Sequence, residues 1–156
     1  MRKVSFEFKN IDETDLKNLL ESLVKCLKGN EIFLLIGNLG AGKTTFVKYL
    51  VSFIDEDLKD EVNSPTFVVM NVYETKNFNI YHIDLYRVKD FDLTDIVGNG
   101  LIFIEWAEIK EFEGLNLPVI TVNLEIGKDI NRRNIKIEIS NGNYLKRCLD
   151  NLGDRR

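Results

Sequence analysis

Gly37-Asn38-Leu39-Gly40-Ala41-Gly42-Lys43-Thr44 constrains this chain more than any other stretch of it. The run has the pattern GxxxxGK[ST]. It follows the continuous apolar segment Glu31-Ile32-Phe33-Leu34-Leu35-Ile36 and leads directly into Lys43 to Val51, where Phe46, Val47 and Leu50 recur at helical spacing. A short apolar run of that kind reads as a strand buried on both faces. Strand, glycine-rich turn and helix in this order make a phosphate-binding loop: the glycines let successive backbone N–H groups face phosphate oxygens, and the helix N-terminus adds a favourable dipole. Lys43 offers a point charge for the β and γ phosphates, and the Thr44 hydroxyl is a ligand of the kind Mg²⁺ takes. Asn38, Leu39, Gly40, Ala41, Gly42, Lys43, Thr44 and Thr45 are therefore expected to bind ATP or ADP with Mg²⁺.

The rest of the chain predicts what surrounds this loop. Val4, Phe6 and Phe8 alternate. Asp12 opens a helix whose apolar stripe is Leu16, Leu19, Leu20, Leu23, Val24 and Leu27, closed by Gly29. Residues 67–73 and 78–84 both alternate and are separated only by Glu74-Thr75-Lys76-Asn77, which predicts an antiparallel hairpin. Leu101-Ile102-Phe103-Ile104-Glu105 is a second buried strand; 118–126 and 134–140 form another hairpin-like pair, and a short helix spans 144–152. The expected fold is α/β: a P-loop NTPase with a mixed parallel and antiparallel sheet flanked by a few helices, rather than a purely parallel doubly wound sheet.

With 156 residues, 44% of them hydrophobic, and no repeat, low-complexity tract or linker, residues 1–156 are expected to form a single domain. The 21 Lys+Arg and 25 Asp+Glu nearly balance, so there is no global field to recruit nucleic acid or an anionic membrane, and any RNA contact is expected to be local or indirect. Arg132-Arg133 and Lys146-Arg147 are small basic clusters that could meet an acidic partner or RNA, with solvated surface charge as the expected reading. Cys26 and Cys148, with no CxxC and a single His, read as two reduced structural thiols. A charged N-terminus and the lack of any apolar run of bilayer length predict a cytoplasmic protein without membrane contact.

Three further groups of residues point to chemistry. Glu105 ends a buried strand, where P-loop folds present a second carboxylate near Mg²⁺, and Trp106 follows it as lid or core packing. On a strand, His82, Asp84 and Tyr86 share a face with Ile80, and an unpaired buried Asp84 would cost several kcal/mol, so that face must meet water or a charged ligand. In Asn63-Ser64-Pro65-Thr66-Phe67 the proline makes the segment turn-like, and Thr66 is placed to sense a γ-phosphate as switch loops do.

Together, GNLGAGKTTF at 37–46, NSPTF at 63–67, HIDLYR at 82–87 and IEWAE at 104–108 resemble, in order and spacing, the TsaE family, formerly YjeE. The resemblance spans nearly the whole chain and implies a Mg²⁺-dependent ATPase that acts with the TsaB–TsaD pair to form threonylcarbamoyladenosine at position 37 of tRNAs reading ANN codons. It implies catalytic roles for Lys43, Asp84, Glu105 and Trp106, a metal site at Thr44 and Glu105, and a place near the nucleotide for Thr14. Many members carry Pro where this chain has Ala107, a change that alters the turn after Trp106 without removing a ligand. A small-molecule kinase would need a lid and a substrate-binding insertion, and neither is visible; a nucleotide-gated adaptor with negligible hydrolysis is the third reading. For activating water, Asp84 is the first candidate and Glu108 the second. The free protein's oligomeric state is left open.

Overall fold

The structure is a computed structural model and describes residues 3–63, 69–88, 91–112 and 114–153. Its elements are β1 (Lys3–Ile11), α1 (Glu13–Val24), β2 (Ile32–Ile36), α2 (Lys43–Ile54), β3 (Met70–Glu74), β4 (Asn79–Asp84), β5 (Leu101–Glu105), β6 (Val119–Ile126), β7 (Arg133–Ser140) and α3 (Lys146–Gly153). The strands form one seven-stranded sheet in the order β1-β7-β6-β2-β5-β4-β3. The pairs β2/β5, β2/β6 and β4/β5 are parallel, whereas β1/β7, β6/β7 and β3/β4 are antiparallel, so the sheet is mixed as the hairpins require.

The apolar strands β2 and β5 lie side by side near the middle, where both of their faces are covered. Phe33 and Phe103 stack with ring centroids 4.9 Å apart beneath Phe46 of α2, on the face that also takes Leu16, Leu19, Leu20 and Leu23 of α1. Ile32, Leu34, Ile83, Ile102 and Ile104 point to the opposite face, which is packed by Leu93, Ile96, Val97, Leu115 and Leu117 from irregular segments.

α1 starts as its sequence indicates. The Asp12 carboxylate accepts from the Asp15 N–H at 2.8 Å, and the Asp15 carboxylate accepts in return from the Asp12 N–H at 3.2 Å, a capping box. The helix stops at Val24, a turn before the end of its apolar stripe. Beyond it the N–H groups of Cys26 and Leu27 bond three residues back, to Leu23 and Val24, and the buried Glu31 carboxylate accepts from the N–H groups of Lys28 at 2.8 Å and Gly29 at 2.9 Å. Those two bonds draw the backbone out of the helix into the turn before β2. The Tyr144 hydroxyl also donates to Glu31, so the buried carboxylate has three donors.

The reading of two reduced thiols is overturned. Cys26, just past α1, and Cys148, on α3, are joined as a disulfide with Cα atoms 6.3 Å apart across 122 residues of sequence. The two helices meet here, with the Ser22 hydroxyl donating to the Cys148 carbonyl at 2.6 Å. A pairing made by helix packing leaves no spacing signature in the chain. Among the described residues, no helix is long and apolar enough to cross a membrane.

Candidate functional site

Parallel pairing brings the carboxyl ends of β2, β5 and β4 to one edge, with Glu105 in register with both Leu35 and Asp84. The loop 37–42 turns over that edge into α2. Gly42 precedes the helix with φ +107°, a conformation that favours glycine, and no side chain caps the helix there. The N-terminal N–H groups are thus left for an outside acceptor. Gly37 is required by close approach: a Cβ there would stand 2.7 Å from the Leu124 carbonyl oxygen.

Arg133, at the start of β7, clasps the loop from behind. Its Nε donates to the Ala41 carbonyl at 2.8 Å and its Nη1 to the Ile130 carbonyl at 2.6 Å. Because a trans peptide sets C=O and N–H on opposite sides, a carbonyl held by Arg133 turns the Gly42 N–H away from it. The expectation of a solvated Arg133 is therefore corrected: the β6–β7 turn brings it against a loop 92 residues away. No local pattern signals that contact.

Lys43 is buried, with Nζ donating to the carbonyls of Gly37 and Asn38 and lying 3.8 Å from the centroid of the Trp106 ring. Trp106 reaches this position with φ +65°, a left-handed conformation that costs a bulky residue about 1–3 kcal/mol. Its ring also tilts against Tyr86 at 4.9 Å. Burial pushes the Lys43 ammonium below its ordinary range, and the negative charges of Glu105 and Asp84 partly restore it.

Glu105 is only 3% exposed. The Thr44 hydroxyl donates to its Oε2 at 3.2 Å, and His82 Nε2 lies 2.6 Å from the same oxygen. Asp84 is half-buried and its Oδ1 accepts from the Tyr86 N–H at 2.9 Å. Ile80 packs on the helix face of the sheet and Ile83 on the other, so His82 and Asp84 share the helix face as their alternation predicts. The sequence places His82 on this polar face without giving it a role of its own; the contact with Glu105 supplies one. Among the described residues, no group of three or more His, Cys, Asp or Glu is arranged to hold a metal by itself. Thr44 and Glu105 nevertheless present two hard oxygen donors together. That set suits Mg²⁺, which takes one or two protein oxygens and completes its shell with phosphates and water.

Beside the loop is a cavity of about 430 Å³. Thr14, with Ile11 and Asp12, forms one wall, and Ala41, Gly42 and Thr45 line it from the loop side. Leu124, Ile130 and Arg133 close it from the β6–β7 hairpin. Tyr49 also lines it, its phenol pushed up to about 12 by burial and by the Glu13 carboxylate to which it donates. Lys43, Thr44, Asp84, Glu105 and Trp106 thus gather at the strand edge, and Thr14 and Thr45 face the adjoining cavity. Asn38, Leu39 and Gly40 are exposed on the loop, Glu108 is exposed beyond Trp106, and Thr66 lies outside the described residues.

Residues 11–135 match the family model described as threonylcarbamoyl adenosine biosynthesis protein TsaE. The tRNA threonylcarbamoyladenosine biosynthesis protein TsaE of Aquifex aeolicus is 47% identical over 96 residues, covering 62% of this chain and 72% of that protein. That of Rickettsia typhi is 39% identical over 136 residues, covering 83% and 92%. The crystal structure of YdiB from Bacillus subtilis shares the fold, with a TM-score of 0.71 at 21% identity over 99% of this chain and 97% of that one.

Proposed function

We propose, from the premise that this chain belongs to the TsaE family and so serves tRNA threonylcarbamoyladenosine biosynthesis, that its contribution is Mg²⁺-dependent hydrolysis of ATP to ADP and phosphate, in concert with a TsaB–TsaD type pair. The observation that carries this reading is the 3.2 Å contact between Thr44 Oγ1 and Glu105 Oε2 at the uncapped start of α2. A hydroxyl and a carboxylate from separate elements, beside a helix start that no side chain caps, make a site for a triphosphate and its cation.

In this reading the triphosphate runs along Gly37 to Thr44 and Lys43 exchanges its two carbonyl contacts for β and γ phosphate oxygens. Thr44 and Glu105 would hold Mg²⁺, which when bound would neutralise charge on the phosphate oxygens. Asp84, in register with Glu105, orients the attacking water. Trp106 covers Lys43 and limits water access to the site. The base enters the adjoining cavity, where Ile11, Leu16, Leu124 and Ile130 supply apolar area and Thr14 a polar contact at the wall. With a net charge of −4, the protein reaches tRNA through its partners rather than by its own field, and it works in the cytoplasm.

Phosphate release from Mg-ATP, measured with and without the TsaB–TsaD pair, tests this. Expected is slow turnover alone and a changed rate with the pair. Asp84→Ala should abolish turnover while nucleotide still binds. An unchanged rate together with no co-purification would overturn the partnership, normal hydrolysis by Asp84→Ala would remove that residue from the mechanism, and phosphate appearing on a small acceptor would mark a kinase instead.

A further inference from the structure

His82 is the chain's single histidine, fully buried, and the hydrolytic reading gives it no task. Its Nε2 lies 2.6 Å from Glu105 Oε2, while Nδ1 is buried with no hydrogen-bond partner among the described residues. A buried N–H without an acceptor is costly, so the ring proton belongs on Nε2, where it is donated to the carboxylate. The unpaired Nδ1 is then a standing cost that an apolar side chain at this position would not carry. Such a cost is explained if the one bond His82 makes does something packing does not.

The surroundings of Glu105 say what that is. The carboxylate is the last residue of β5, and its Oε2 takes the Thr44 hydroxyl from α2, 61 residues away. His82 donates to the same Oε2 that takes the Thr44 hydroxyl and so holds that oxygen on the Thr44 side.

We infer that His82 is the positioning residue for Glu105: by donating from Nε2 to Oε2 it keeps the carboxylate beside Thr44, preorganising the oxygen pair for a divalent cation. This rests on the assignment of Thr44 and Glu105 to the metal. Removing a donor that hydrogen-bonds to a metal-ligating group typically changes metal affinity by about 10–100-fold.

The test compares wild type with His82→Leu, His82→Asn, His82→Gln and Glu105→Gln in the full chain. Mn²⁺ binding to the ADP complex is followed by electron paramagnetic resonance, metal-free ADP affinity by calorimetry, and folding by thermal midpoint. Gln carries an N–H donor near the Nε2 position, whereas Asn is too short to reach it. Expected is a loss of Mn²⁺ affinity of about tenfold or more in His82→Leu and His82→Asn, metal-free ADP affinity within about twofold of wild type, and recovery of most Mn²⁺ affinity in His82→Gln. If His82→Leu does not fold, the Gln and Asn pair decides. Mn²⁺ affinity unchanged in Leu or Asn, or Gln no better than Asn, overturns the inference. A wild type that binds Mn²⁺ no better than Glu105→Gln overturns the metal assignment itself and this inference with it, an outcome distinct from the preceding ones.

Discussion

Lys43 sets folding against function at the residue scale. Its ammonium is buried, satisfied by two loop carbonyls and the Trp106 ring, yet held below its ordinary range chiefly by loss of hydration. A lysine whose folded pKa is lowered destabilises the fold while it is charged, and that cost shrinks as pH rises through the lowered value toward the 10.5 of the unfolded chain. Lys43→Met is therefore expected to remove tight nucleotide binding while leaving the thermal midpoint of the nucleotide-free protein no lower than wild type; a clear drop in midpoint would show the charge to be stabilising. Phosphate favours the ammonium, so nucleotide affinity should weaken as pH rises through the same window. Calorimetric titrations between about pH 7 and 10 check this, and a flat profile would contradict it. Glycine at 42 and the lysine after it are legible from the loop pattern alone. That the lysine sits under an indole held at φ +65° is not, because backbone conformation at Trp106 follows from the turn leaving β5.

Among the elements, the hairpin of β6 and β7 does more than extend the sheet. It presents Arg133 to the Ala41 carbonyl and thereby couples an antiparallel edge unit to the phosphate loop. Arg133→Ala should weaken nucleotide binding by about tenfold, because the Ala41 carbonyl, and the Gly40 carbonyl that Nη2 reaches at 3.4 Å, lose a charged donor and the loop loses its fixed peptide orientation. Arg133→Lys should recover only part of it, since one ammonium cannot reproduce the guanidinium fork. Calorimetry with ADP, alongside a denaturant midpoint to confirm folding, distinguishes this from a solvated arginine, which would leave binding untouched. The hairpin itself is readable from alternation, as is β3/β4, whereas the start of α1 is readable from Asp12 and the helical stripe after it. Alternation reports which side chains share a face but not which distant strand the face will meet.

For the molecule as a whole, the disulfide between Cys26 and Cys148 closes a loop of 122 residues and ties the end of α1 to α3. Removing it with reductant or by Cys148→Ser should lower unfolding free energy by about 2–5 kcal/mol, measured by urea denaturation. Nucleotide affinity should be unchanged, because the cavity takes the first turn of α1 and the bridge lies past its last, a separation of about 18 Å at 1.5 Å per residue. Equal stability of oxidised and reduced protein would contradict the prediction. The sequence by itself determined the phosphate loop, the buried strand before it, the helix after it and the mixed character of the sheet, because each depends on consecutive residues and their period. Only the tertiary structure decided that Thr44 meets Glu105, that His82 holds it there, that Arg133 clasps the loop and that the two cysteines join. Those contacts span 61, 23, 92 and 122 residues, and they follow from strand order and helix packing, which no local periodicity encodes.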